Sequence, residues 1–265
     1  MPRPTKKELE ARQSEADIPI FPSWIFSEIK PATPLTSQTY SAMRRAIIEM
    51  VLPPGSPVNE KKICEELHIS RTPLREALLK LNDEALVKIV PNQRTTVAKI
   101  DLETMLEGQL IRQSLEVKLV RLAAMRMTPA HERALDLSMY QQHQAAAIPD
   151  LHLSFRLDEE FHELIASIGA SSRTWRIIKS AKAHVDRVRH LAYPRENRLD
   201  QILEEHAAIV TALKSRDPGL AREAMHSHLG NFFNSLQFVM NERKELFSHG
   251  AEELLAQHLS IERNE

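Results

Sequence analysis

The sequence predicts a mainly α protein built from an N-terminal winged helix-turn-helix and a C-terminal all-helical bundle. Three observations carry that prediction. The chain has 265 residues, more than the roughly 100–200 of one ordinary domain, so two domains with separate cores are expected. Its 6 glycines and 5% aromatic residues, within 42% hydrophobic residues, favour helices over sheets. β-Branched runs bounded by turn residues fall together between residues 86 and 100, after three short helical patterns.

Residues 1–35 are charged at first and then punctuated by Pro19, Pro22, Pro31 and Pro34, which prevents a continuous helix and predicts a flexible extension. Its apolar cluster, Phe21, Trp24, Ile25 and Phe26, either moves with that extension or docks on a neighbouring domain. Residues 36–100 form the winged helix. Ser37 to Met50 places Tyr40, Met43 and Ile47 at spacings of three and four, and Pro53, Pro54 and Gly55 end that helix. Asn59 is the expected N-cap of a second helix carrying Ile63 and Leu67. Ser70 caps a third, with Leu74, Ala77, Leu78 and Leu81 inward. The run LVKIV, the turn residues Pro91 and Asn92, and TTVAKI read as two strands of a hairpin.

From Asp101 to His249 the pattern is helical, with breaks near Thr128 and Pro129, Pro149, Gly169, Pro194, and Asp217 with Pro218. This predicts about six helices of roughly 15 to 30 residues. The apolar residues Leu102, Met105, Leu106, Leu110 and Ile111 imply an antiparallel bundle with one core over residues 101–248. In the tail, 249–265, a last helix from Ala251 to Ser260 either packs on the bundle or frays.

Formal charge is −1, from 35 Lys+Arg and 36 Asp+Glu, so any surface for nucleic acid must be local. The winged-helix stretch is the basic part, with ten Lys+Arg against seven Asp+Glu. Cys64 is the single cysteine and cannot form an intramolecular disulfide. No apolar run approaches the roughly 20 residues that span a bilayer, and the N-terminus lacks a signal-peptide core. A cytoplasmic location without membrane contact is the expectation.

In ISRTPLREALLKL, Arg71 and Thr72 begin a helix and Arg75 follows one turn later, all off the leucine face. A side chain so placed meets base edges in a major groove, where arginine grips guanine O6 and N7. Lys61, one helix earlier, suits a phosphate. The competing reading is a solvated basic face. The stretch PPGSPVNEKKICEELHISRTPLREALLKLNDEALVKIVPNQRTTVAKI resembles the winged-helix domain of the GntR family of bacterial transcription regulators. That resemblance implies that Ser70, Arg71, Thr72, Pro73 and Arg75 open a recognition helix. Two departures stand out. The family's glycine before the wing strand is Ala85, and its glycine at the wing tip is replaced near Arg94, which then adds a groove or phosphate contact or reshapes the wing.

In LDEEFHELI, Asp158 and His162 are four apart and share a helix face beside Leu151, Phe155 and Ile165. Such a pair is also common as a plain hydrogen bond. His206 lies on the stripe of Ile202, Ile209 and Leu213, and His228 on that of Met225, Leu229 and Phe232. Three imidazoles and a carboxylate inside a bundle would suit zinc, nickel, manganese or iron rather than magnesium or calcium. His226 is some 200° around the helix from His228 and points elsewhere. His184 and His190 lack a four-spaced partner and read as ordinary polar or pocket-lining residues.

Residues 101 to about 245 resemble the FCD ligand-binding domain of one GntR subfamily, many of whose members bind a metal through one Asp and three His. The matching positions are Asp158, His162, His206 and His228, with zinc the first choice of metal. The resemblance further implies a double-stranded DNA operator and a small organic acid as effector, and a homodimer follows from operator symmetry, because two winged helices related by a two-fold axis read a palindrome with paired affinity. Arg112, in LIRQSLE, resembles the family's inward arginine and would grip a carboxylate. A salt bridge to Glu116, four residues on, is its other reading. Two rivals stay open: a metal-dependent hydrolase, against which stands the lack of HExxH, GxSxG and a glycine-rich phosphate loop, and a regulator that senses the metal ion itself.

Overall fold

The structure, a computed structural model, describes residues 20–26, 33–91, 93–148, 150–195 and 197–262. Asn92, Pro149, Pro19 and Pro31, named above, lie outside these. The chain divides into two compact units, one of residues 1–47 and 51–97, the other of residues 48–50 and 98–265.

In the first unit, α1 (Leu35–Ile48), α2 (Glu60–Leu67) and α3 (Arg71–Asp83) precede strands β1 (Val87–Lys88) and β2 (Thr96–Val97). The strands pair antiparallel, Val87 with Val97 and Lys88 with Thr96. The hairpin is shorter than the two β-branched runs suggested, and Thr96 also bridges to Pro57. Met43, Ile47, Ile63, Leu74, Ala77, Leu78 and Leu81 are buried and form the core. Asn59 accepts a bond from the Lys62 N–H at 3.1 Å, as an N-cap should. Ser70 occupies the next N-cap with extended backbone but makes no side-chain cap bond.

The apolar cluster of the N-terminal segment docks rather than trailing free. Ser23–Phe26 form one 3-10 turn, and Phe21 and Ile25 are buried. Glu66 accepts from the Ile20 and Phe21 N–H groups at 2.7 and 3.1 Å. Arg45 donates to the Trp24 carbonyl at 2.8 Å and lies over its ring.

Ala85 has φ of 54°, a left-handed conformation that L side chains resist. This is the position where the resembling family carries glycine. Ala85→Gly is therefore expected to stabilise the first unit by about 0.5–1 kcal/mol. A melting temperature that is unchanged or lower in Ala85→Gly would contradict that backbone strain.

The second unit comprises α4 (Leu102–Met125), α5 (Pro129–Ala146), α6 (Leu151–Gly169), α7 (Ser172–Ala181), α8 (Ala183–Ala192), α9 (Arg198–Lys214), α10 (Pro218–Gly230), α11 (Phe232–Arg243) and α12 (Ala251–Glu262). Asp101, Thr128, Asp150 and Asp217 cap α4, α5, α6 and α10 through their side chains, and prolines open α5 and α10. Two predicted helices are each broken in two, at Lys182 and at Asn231. The break at Lys182 has no proline or glycine beside it, whereas Gly230 immediately precedes the break at Asn231. Lys182 is fully buried and turned inward by bonds from its amine to Glu159 at 2.5 Å and Asp186 at 2.7 Å. α12 packs on the bundle through Ala251 and Leu255.

The expected single core is instead divided. Along α4, Leu102 and Met105 join an apolar cluster with Val185, Val188, Phe232 and Leu236. Val120 and Ala123 join another with Phe161, Ile165, Ile209, Leu213 and Met225. Between them on the same helix lie buried Gln109, Arg112 and Glu116. Because polar residues occupy the inward face there, Leu110 and Ile111, predicted inward, are 64% and 37% exposed. α4 also passes close to the α7 end: a Cβ on Gly108 would stand 2.5 Å from the Ala181 carbonyl oxygen. Only glycine permits that approach.

Candidate functional site

Within the second unit, three helices bring three imidazoles together, with a carboxylate beside them. Asp158 and His162 come from α6, His206 from α9 and His228 from α10, and all four are buried. One ligand atom from each of the three histidines lies within 4.8 Å of the others. Asp158 Oδ1 is 3.7 Å from His206 Nε2. His226 is exposed, on the far side of α10.

Neighbouring acceptors set each ring. His206 Nδ1 is 2.7 Å from Gln142 Oε1, and His228 Nδ1 is 2.6 Å from Glu205 Oε2. An amide or carboxylate oxygen only accepts, so both Nδ1 atoms carry the proton and both Nε2 atoms present a lone pair. His162 Nδ1 stands 2.6 Å from Glu116 Oε2, ion-pair distance though off the hydrogen-bond direction. Its Nε2 is 3.2 Å from His228 Nε2 and 3.2 Å from Arg112 Nη2. A guanidinium only donates, so His162 Nε2 accepts from Arg112 and presents a lone pair toward that of His228, a repulsion that a cation would remove.

The electrostatics agree. Burial, then the neighbouring His228, holds His206 well below the ordinary imidazole range. Burial likewise takes His228 down to about 4. Burial alone would raise Asp158, but the Arg189 guanidinium, followed by His162 and His206, holds its carboxyl well below the usual carboxylate range. Neutral His206 and His228 rings beside an ionised Asp158 carboxylate are protonation states that metal ligation requires. Asp158 Oδ1 and His206 Nε2 are buried without a hydrogen-bond partner. The residues thus fit a borderline divalent ion.

Arg112 forms the salt bridge of its second sequence reading. Its Nε pairs with Glu116 Oε1 at 2.7 Å in full burial, while Nη2 reaches His162. Sequence reasoning missed Arg189, which donates to Asp158 Oδ2, to Glu159 at 3.0 Å and to Asp186 at 3.0 Å. Arg198, at the start of α9, is 3.7 Å from Glu205. Arg112, Asp158, Arg189, Arg198 and His228 line a cavity of about 10 Å³, room for one water. Gln142 and Glu205 were also missed. Gln142 had a signal, since it continues the buried stripe of Leu135 and Met139 as a lone polar residue.

Substituting these orienting residues should weaken metal binding without removing it. Gln142→Leu and Glu205→Gln are each expected to reduce metal affinity about 10–100-fold. Competition with a chelator of known affinity measures this, and unchanged affinity in both would mean the rings are oriented by packing alone.

In the first unit, Ser70, Arg71, Thr72 and Arg75 are exposed on α3, with Pro73 half-buried. Leu74, Ala77, Leu78 and Leu81 fill the opposite face. Lys61 is exposed on α2, with a loose 3.8 Å pair to Glu65. Arg94 is exposed at the tip of the hairpin. No side chain in this set is consumed by the core.

Residues 35–97 match the family described as bacterial regulatory proteins, gntR family, and residues 109–231 match the FCD domain. The HTH-type transcriptional repressor RspR of Escherichia coli K12 is 32% identical over 222 residues, 84% of this chain and 97% of that protein. The chain belongs to the GntR family of transcription regulators. It is a DNA-binding regulator of the FCD type and not an enzyme, as are its relatives. A regulator from an unstable DNA locus of Streptomyces ambofaciens is 28% identical over 80% of this chain and 89% of its own length. Among solved structures, E. coli McbR/YncC superposes with a TM-score of 0.68 at 24% identity, covering 77% of this chain and 98% of its own. A GntR regulator from Rhodococcus sp. RHA1 gives 0.66 at 23%, covering 77% and 99%. These two likenesses establish the fold. No helix among the described residues is long and apolar enough to cross a membrane.

Proposed function

We propose that this GntR regulator acts in the cytoplasm as a homodimer and binds a small organic acid beside a divalent transition metal, with operator affinity set by that acid. Asp158, His162, His206 and His228 hold the metal. The observation that supports this most is the grouping of three imidazole nitrogens beside an unpaired carboxylate oxygen, next to a cavity that Asp158 and His228 line together with Arg112, Arg189 and Arg198. Bound there, a metal supplies a Lewis-acidic position for one carboxylate oxygen. Arg112 offers a planar donor pair for the other. The cavity is too small for an acid, so Arg198, whose guanidinium makes a long contact to Glu205, swings aside on binding and shifts the start of α9.

Ser70, Arg71, Thr72, Pro73 and Arg75 read the operator from α3, with Lys61 and Arg94 on phosphates or the flanking groove. Dimerisation matches two such helices to a palindrome. Exposed Leu110 on α4 and Ile177 on the adjoining α7 support a face for the second copy.

Calorimetry with a panel of small mono- and dicarboxylates tests the effector site. Binding is expected to the metal-loaded chain, and to weaken by about tenfold or more in Arg112→Lys, which keeps the charge but loses the two-bond grip, and in metal-stripped protein. Equal affinity in the wild type, Arg112→Lys and stripped protein would overturn the assignment.

A further inference from the structure

A second group of ligand-type side chains lies outside the site described above. Glu49, His152 and His190 each offer one ligand atom, and these atoms lie within 4.8 Å of one another. Glu49 follows the last turn of α1, in the short stretch 48–50 that belongs with the helical unit. Met50, with φ of 61°, ends the helix there, and the Glu49 side chain is buried. His152 sits in the first turn of α6 and His190 in the last turn of α8.

Glu49 Oε2 stands 2.5 Å from His152 Nδ1. The rings of His152 and His190 stack with centroids 5.5 Å apart and planes 27° from parallel. Phe155 meets His190 edge-on at 5.7 Å and closes one side with an apolar wall. On the other side the His152 side chain is 32% exposed, so the group has a way in from solvent. An ion pair between Glu49 and His152 accounts for two of the three residues. It leaves His190, whose Nδ1 is buried without a hydrogen-bond partner. A buried polar atom left unpaired costs about 1–3 kcal/mol, and stacking on a second imidazole does not supply a donor.

We infer that Glu49, His152 and His190 form a second metal site for a borderline divalent ion such as zinc. Two imidazoles and one carboxylate are a donor set that zinc and related ions take, with the remaining positions left to water. Here those positions face the open His152 side. Both histidines lie on elements that build the first site: His152 shares α6 with Asp158 and His162, and His190 follows Arg189, which holds Asp158. An ion bound to all three fastens residue 49 to α6 and α8, and so stiffens the two elements that place Asp158.

The test strips the full-length protein with a chelator, reloads it with zinc, desalts it and measures zinc per folded chain. The wild type should retain about two ions, and Glu49→Gln, His152→Asn and His190→Asn about one each. His152→Asn, at a half-exposed position, guards against a folding defect, and far-ultraviolet circular dichroism confirms the fold of all three. Zinc content equal to the wild type in these variants would overturn the second site. The first site is read separately. If His206→Ala with His228→Ala keeps all the zinc while His190→Asn loses it, the first assignment falls and the second stands.

Discussion

Replacing His206 with alanine is expected to cost the chain one metal ion relative to the wild type and to lower its melting temperature by roughly 10 °C. The size follows from mass action. An ion present at a thousandfold its dissociation constant stabilises the folded state by about 4 kcal/mol, and about 1 kcal/mol moves a unit of this length by roughly 2–4 °C. His206 is the strongest place to cut, because its Nε2 is buried and unpartnered and faces Asp158 Oδ1. Loss of packing is the competing cause, since the ring stacks on Phe161 with centroids 4.1 Å apart. Chelation separates the two. With metal removed from both proteins, the gap between wild type and His206→Ala should shrink to the packing contribution alone. A gap that chelation leaves untouched would show that the histidine stabilises only by packing.

Arg71→Ala and Arg75→Ala are each expected to weaken binding to the specific operator by about 1–3 kcal/mol, a factor of roughly 5 to 150. Both side chains leave α3 on its exposed face, while Leu74, Ala77 and Leu78 hold the opposite face. Truncation should therefore leave folding unchanged. Lys61→Ala should lower affinity for all sequences alike and reduce the salt dependence by about one ion, as a phosphate contact does. Mobility-shift titrations on operator and random DNA at fixed salt distinguish the two behaviours. Operator affinity unchanged in both arginine variants would remove α3 from the reading role.

Much of this was legible in the sequence for a physical reason. Helices that are half-solvated, such as α3 and α9, carry an apolar stripe, so Arg71 could be assigned outward and His206 inward from spacing alone. α8 defeats that method. Its residues from Ala183 to Arg189 are buried on every side, charged ones included, so no periodicity marks Arg189 as a partner of Asp158. The break at Lys182 has no proline or glycine beside it and comes from tertiary packing, while Gly230 before Asn231 was the one local signal for the other break. In α4 the inward face turns polar at Gln109, Arg112 and Glu116 to serve the site, which made outward Leu110 and Ile111 look like core. Gln142 was readable as a lone polar residue in a buried stripe, whereas Glu205 sits beside His206 with nothing to show that it turns toward His228. The grouping of Glu49 with His152 and His190 joins residues more than 100 positions apart, which no local pattern reports.

The central claim is that a carboxylate bound at the metal changes DNA binding. Its most direct test is the operator affinity of the metal-loaded, full-length protein, measured at fixed salt while the acid found by calorimetry is titrated in. The account predicts a shift in affinity that saturates with the acid, is lost in Arg112→Lys, and is absent from metal-stripped protein. Operator affinity that stays constant through saturating acid, or that follows the metal alone with no response to any carboxylate, would contradict it.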